Sequence, residues 1–243
     1  MISFLGECTK NLIQTLKYII SGEVKLSSIL YQAAMISYDS LSIALTIVFI
    51  AAAVIALQVS KQFLLTGGEA YIGGFLAVAM IREIAPGFAA LAIGARAGTA
   101  ISAEVANMQV TSQIDAIKVL KVDPIGYYFA PRIIAAGVTV PLVIILAEFL
   151  GILGGLIVSH YVIDLHPNIY IKSVWLWLKP KDRYISLFKG VIFGCLIALV
   201  CSTQGYLTKG GAKDVGISTT QAAIKSTIYL LVADLLINFV FYL

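Results

Sequence analysis

The chain has 243 residues, of which 60% are hydrophobic and only 12% charged, with a formal net charge of +4 and a mean hydropathy of +0.95. Soluble domains are about half apolar and about a quarter charged, and a chain of this size has too little interior to hide the excess from water. Composition therefore excludes an ordinary soluble domain, and the thinly spread positive charge offers no clustered basic face for nucleic acid. Each crossing needs about 20 apolar residues, so the expected class is an all-α integral membrane protein.

In chain order, residues 4–20 place Phe4, Leu5, Cys8, Leu12, Leu16, Ile19 and Ile20 on one helical face, with Glu7, Lys10, Asn11, Gln14 and Lys17 largely on the other. This pattern predicts an N-terminal helix lying in the membrane interface; a soluble amphipathic helix docked on a partner is the alternative. The N-terminus lacks the apolar core and small-residue cleavage site of a secretory signal. Ser40–Ser60 is free of charge and predicts the first span, closed by Lys61 and the turn Thr66-Gly67-Gly68-Glu69. A second apolar helix, about 70–107, holds Arg82, Glu83, Pro86 and Arg96 and exceeds one crossing, so it is expected to tilt, kink at Pro86 or project from the membrane.

A third span is expected over 125–159, with Glu148 and Pro141 inside it, followed by a polar loop over 160–184 whose Trp175 and Trp177 suit an interfacial aromatic belt. A fourth span is predicted over about 185–208 and a fifth over 217–243, the latter carrying Asp234. Lys10, Lys17, Lys25, Lys118, Lys121, Arg132, Lys209 and Lys213 would share one side, against Lys61, Lys172, Lys179, Lys181 and Arg183 on the other. That bias favours a cytoplasmic N-terminus. The pairs Gly94/Gly98, Gly151/Gly155 and Gly190/Gly194 have the small-xxx-small spacing that lets helices approach closely in lipid. Cys8, Cys195 and Cys201 form no ligand or disulfide pattern and read as packing residues.

Charge is concentrated in one stretch, Arg82 to Arg132. Arg82 lies within an apolar helix, where an ionisable group is costly and marks a functional hypothesis. The segment 110–124 holds a candidate short helix, with Thr111 or Ser112 as its cap, Pro124 as its stop and Ile114, Ile117 and Leu120 as an apolar stripe. Such a helix between two spans has the shape of a docking element for a soluble partner, with a merely solvated loop as the alternative. Arg96 and Glu104, about two turns apart, read as braces at the end of the second helix. His160 and His166 have no ligand-spaced neighbours, so no metal site is predicted. No catalytic arrangement is visible either. No G-x-x-x-x-G-K-[ST] occurs, so energy must come from a partner or an ion gradient.

The run REIAP…GARAGTAISAE…QIDA…VDP…PR, with the later GY…GISTTQAA…D, resembles the MlaE/YrbE permease family, the membrane subunits of ABC-type lipid transporters that work with MCE proteins. The resemblance covers most of the chain from about Ser40 onwards. It implies a homodimeric permease with an interfacial helix and five spans, and a cytoplasmic ABC ATPase that binds ATP and Mg in place of any cofactor in this chain. It also implies an MCE-domain substrate-binding protein, phospholipid as usual cargo and, most commonly for the family, a bacterial inner membrane. By the same resemblance Val110, Thr111, Ser112, Gln113, Ile114, Asp115, Ile117, Lys118 and Leu120 belong to a coupling helix gripped by the ATPase, with Ser112 where the family usually has Glu. Arg82 is expected in the lipid cavity, meeting a headgroup and tuned by Glu83, or else in a structural ion pair. Arg96, Glu104, Glu148 and Asp234 are read as structural charges. Two readings compete with lipid transport: a proton-coupled transporter resting on Glu148 and Asp234, and a membrane scaffold that recruits a partner without transport.

Overall fold

The computed structural model describes residues 2–242. It is helical, with no strand among the described residues, and five of its helices are long and apolar enough to cross a membrane. α1 (Ile2–Ile20) is followed by α2 (Leu26–Thr66), by the broken helix Glu69–Val110, and by the short α6 (Gln113–Val119). α7 (Pro124–Ile163), α8 (Pro167–Trp177), α9 (Pro180–Tyr206) and α10 (Ala212–Tyr242) complete the chain.

α2 starts at Leu26, well before the Ser40 expected from its charge-free core. Its 41 residues measure about 60 Å, twice the hydrocarbon thickness. Helix propagates from an apolar span into polar flanks because each added residue makes a further backbone hydrogen bond. Gly67 ends it in the left-handed region (φ 68°), and the Gly68 N–H returns to the Phe63 carbonyl at 2.9 Å.

The second span is the broken one. Three α-segments, α3 (Ile72–Ala79), α4 (Ala85–Ile93) and α5 (Thr99–Val110), are joined by π-helical turns at Met80–Ile84 and Gly94–Gly98. Pro86 sits in the first turn of α4, so the disturbance falls on the preceding turn, which carries Arg82 and Glu83. Proline has no N–H to bond the carbonyl four residues back. That carbonyl belongs to Arg82, and it accepts a hydrogen bond from Lys189 Nζ at 2.7 Å.

The glycine pairs fall where helices touch. A Cβ at Gly194 would collide with the Ala136 carbonyl oxygen, and one at Gly190 would lie 2.9 Å from Pro141 Cα, so α7 and α9 meet backbone to backbone. Gly98 faces Cys201 and Gly155 faces Tyr170 at similarly short range. Leu, Ile, Val and Phe side chains of α2, α7 and α10 remain exposed along their outer faces, as lipid-facing surfaces require.

Residues 160–184 are not a loop. α8 forms there, with His166 accepting from the Asn168 N–H at its start, and packs on α3, where the Gly74 N–H donates to Ser173 Oγ at 2.9 Å. Burying Tyr170 and Ser173 against Gly73 and Gly74 supplies the fixed contact that a solvated loop lacks. α1 lies across the opposite end of the bundle. It buries Phe4, Cys8, Asn11 and Thr15, whereas Leu5, Leu16 and Ile20 are exposed. The inward face is thus partly polar: Asn11 Nδ2 donates to Thr203 Oγ1 at 3.1 Å, and Tyr18 covers Gly126.

Candidate functional site

Two features stand at opposite ends of the broken helix. The first is a charged cluster around its Met80–Ile84 turn. Arg82 Nε pairs with Asp182 Oδ1 at 2.9 Å, and its guanidinium lies 4.6 Å from the Tyr242 ring centroid. Lys189 on α9 is fully buried and pairs with Glu83 Oε1 at 3.1 Å and with Asp234 Oδ1 at 2.7 Å. Asn238 Nδ2 donates to Glu83 Oε2 at 2.9 Å. Nearby, Glu148 of α7 pairs with Arg183 at 2.5 Å and accepts from Ser186 Oγ.

The cluster is a chain of opposite charges, as a buried ion needs. Its burial is uneven: Asp182 and Lys189 are enclosed, while Arg82 is 34% and Glu83 45% exposed. A cation and an anion therefore stand open on one side, each held by a buried counter-ion. Beside them Lys181, Tyr184, Ile185, Phe188 and Phe241 line a largely apolar recess of about 530 Å³. An arrangement of this kind can hold a polar group at the edge of apolar walls, and it contains no nucleophile–base pair.

Sequence reasoning picked out Arg82, Glu83, Glu148 and Asp234 but missed their partners Asp182, Arg183 and Lys189. The segment that holds them is polar and reads largely as loop, yet α9 begins at Pro180. The signal available was the spacing of Asp182, Ser186 and Lys189, one face of a helix at i, i+4 and i+7. With cations beside both Glu148 and Asp234, neither is the isolated carboxylate on which a proton relay would rest.

The second feature is α6. It is shorter than the 110–122 helix expected, because Val110 closes α5 and Ser112 takes a left-handed conformation (φ 59°) that breaks the run. Neither expected cap forms: Ser112 makes no side-chain cap, and Thr111 Oγ1 instead donates back to the Asn107 carbonyl at 2.8 Å. Lys121 is also left-handed (φ 60°), so α6 is a short step between two sharp bends. The expected apolar stripe divides. Ile114 is buried and anchors the step, Ile117 is half-buried, and Leu120 is 73% exposed beside the exposed Val119. Gln113 is exposed, and Asp115 and Lys118 pair with each other at 2.9 Å on the surface. The Asp115 carboxylate holds the Lys118 ammonium above its ordinary pKa.

Arg96 and Glu104 each reach a neighbouring helix. Glu104 pairs with the buried Arg132 of α7 at 2.9 Å, and Arg96 Nη1 reaches the Met35 carbonyl of α2 at 3.4 Å. His160 Nδ1 lies 3.2 Å from the Leu165 carbonyl, and among the described residues no cluster of metal-ligating side chains occurs.

The family described as Permease MlaE matches residues 29–240, nearly the whole of this architecture. The chain belongs to the MlaE permease family. A probable ABC transporter permease protein of Synechocystis sp. is 34% identical to it over 229 residues, covering 94% of this chain and 87% of the relative. A probable ABC transporter permease protein of Rickettsia prowazekii is 35% identical over 224 residues, covering 92% and 86%. The chloroplastic Arabidopsis thaliana protein TRIGALACTOSYLDIACYLGLYCEROL 1 is 31% identical over 229 residues, covering 94% of this chain and 65% of the relative. This MlaE-family chain is accordingly a multi-pass membrane permease, a transport subunit.

Proposed function

We propose that this permease moves phospholipid between the membrane and an MCE-domain partner, driven by ATP hydrolysed in a separate cytoplasmic ABC ATPase subunit. The observation that carries the reading is the broken helix Glu69–Val110, which has the half-open charged cluster on one of its turns and leads directly into the protruding α6 at its end. Exposed Val119 and Leu120 give an ATPase groove something apolar to grip, and motion of α6 passes along α5 to the turn that holds Arg82 and Glu83. Arg82 meets the phosphate of a lipid headgroup, a charge-assisted contact that is strong in a water-poor site, while acyl chains lie in the adjoining apolar recess. A relative whose printed name is that of a galactosylated diacylglycerol agrees with a lipid cargo.

A second copy of the chain completes the cavity on the open side of Arg82 and Glu83. α1 and α6 face the cytoplasm, α8 faces the opposite side, and the host is a bacterial inner membrane. The test is mild-detergent purification of the tagged chain with its partners, protein and lipid both identified by mass spectrometry. The ATPase, the MCE partner and phospholipid should all be retained. Leu120→Asp should lose the ATPase and keep the lipid, whereas Arg82→Ala should keep the ATPase and retain about tenfold less phospholipid, the loss of one charge-assisted contact. Unchanged lipid in Arg82→Ala would remove the headgroup role.

A further inference from the structure

A separate groove lies between the start of α2, the second half of α5 and the start of α7, at the α6 end of the bundle. Its floor is Arg132, only 2% exposed, whose Nη2 pairs with Glu104 Oε2 at 2.9 Å and whose Nη1 donates to the Tyr128 carbonyl at 2.7 Å. The third guanidinium nitrogen, Nε, is buried without a partner, a costly state for a charged group. Glu104, by contrast, is 43% exposed. Ser27, Ser28, Tyr31, Gln32 and Tyr127, with Met108 and Pro131, complete a mixed polar and apolar recess of about 260 Å³. Tyr31, Gln32 and Glu104 also line a neighbouring recess of about 320 Å³ whose walls turn apolar at Met35, Ile36, Ala97, Ala100 and Ile101, with Arg96 as a second cation on its lining.

Depth follows from helix rise. Tyr31 lies five residues after the start of α2, Glu104 six before the end of α5 and Arg132 eight after the start of α7. At 1.5 Å per residue these are about 8, 9 and 12 Å from the helix ends, the level of headgroups and upper acyl chains when the helices project from the bilayer. The apolar recess lies a turn deeper along α2.

We infer that this groove holds a phospholipid of the α6-side leaflet with a zwitterionic headgroup such as phosphoethanolamine. Opposite charges side by side match a zwitterion. The ammonium meets the exposed Glu104 carboxylate and the rings of Tyr31 and Tyr127, and the phosphate meets tyrosine and serine hydroxyls on the Arg132 side. A headgroup that is only anionic would set its charge against the Glu104 carboxylate, the more exposed member of the Arg132–Glu104 pair. The apolar recess takes the start of an acyl chain. The inference rests on membrane placement and is independent of the Arg82 site, so either can fail alone.

The experiment uses the full chain in nanodiscs with photoreactive phosphatidylethanolamine or phosphatidylglycerol, each carrying its diazirine near the headgroup. Peptides containing Tyr31 and Tyr127 should be labelled about fivefold more by the ethanolamine lipid, and that labelling should fall about fivefold in Glu104→Gln and in Tyr31→Ala, as loss of one ammonium contact implies. Soluble glycerophosphoethanolamine should not compete. Equal labelling by both lipids, labelling unchanged in both variants, or displacement by the soluble headgroup would overturn the inference. If Glu104→Gln fails to fold, Tyr31→Ala, an exposed side chain on the helix surface, decides the matter.

Discussion

Lys189 is the residue on which the charged cluster turns. It neutralises two carboxylates from different helices and takes the carbonyl that Pro86 leaves without its helical partner. Removing one member of a buried ion group strands the others, at a cost of about 3–5 kcal/mol. Lys189→Met should therefore lower the thermal midpoint of the detergent-solubilised protein sharply, and the double variant Lys189→Met/Asp234→Leu should recover part of the loss. Equal midpoints for wild type and Lys189→Met would refute this account of the cluster. Glycines give a second comparison at this scale. Gly194→Ala drives a Cβ into the α7 backbone, while a Cβ at Gly87 meets nothing within 4 Å. Gly194→Ala should cost about 1–3 kcal/mol by overpacking. Gly87→Ala should be neutral or gain up to about 1 kcal/mol from helix propensity, both read from the same melting curves.

At the scale of elements, the ends of the bundle can be assigned to sides of the membrane. Leu120→Cys on the α6 end and Trp175→Cys on the α8 end should react with a membrane-impermeant maleimide from opposite sides, with Leu120→Cys labelled only in inside-out vesicles. Background from the native thiols should be low. Burial pushes the Cys8 thiol up to about 11, so near neutral pH almost none is in the reactive thiolate form, while Cys201 is buried and Cys195 half-buried within the apolar α9 span. Leu120→Cys labelled only in right-side-out vesicles would reverse the proposed topology, and both sites reacting from one side would contradict it.

Five long apolar helices were legible because a run free of charge has few alternatives to a span. Their lengths were not: α2 begins at Leu26, since helix continues through polar flanks that a hydropathy criterion discards. α8 was hidden because its contacts come from Gly73 and Gly74, distant in sequence. The π-helical turns left no local mark beyond Pro86 and the glycines. The start of α9 reads as loop because Asp182, Arg183 and Lys189 look expensive until Arg82, Glu148, Glu83 and Asp234 are set beside them. Sequence showed half of each ion pair, and only the fold supplies the other half.

For the whole molecule, the broken helix joins two chemistries that must be separated in space. Its C-terminal end leads to the short step α6 with exposed Val119 and Leu120, and its π-helical turn carries charges half open to an apolar recess. A straight α-helix would carry displacement of α6 past the cluster unchanged, whereas turns at Met80–Ile84 and Gly94–Gly98 let it flex there. The most direct test of this coupling is fluorescent phospholipid transfer to the MCE partner in proteoliposomes holding the permease and its ATPase, with and without ATP. The account predicts ATP-dependent transfer that Leu120→Asp abolishes while lipid stays bound in the permease. Transfer that proceeds without nucleotide, or that Leu120→Asp leaves unchanged, would contradict it.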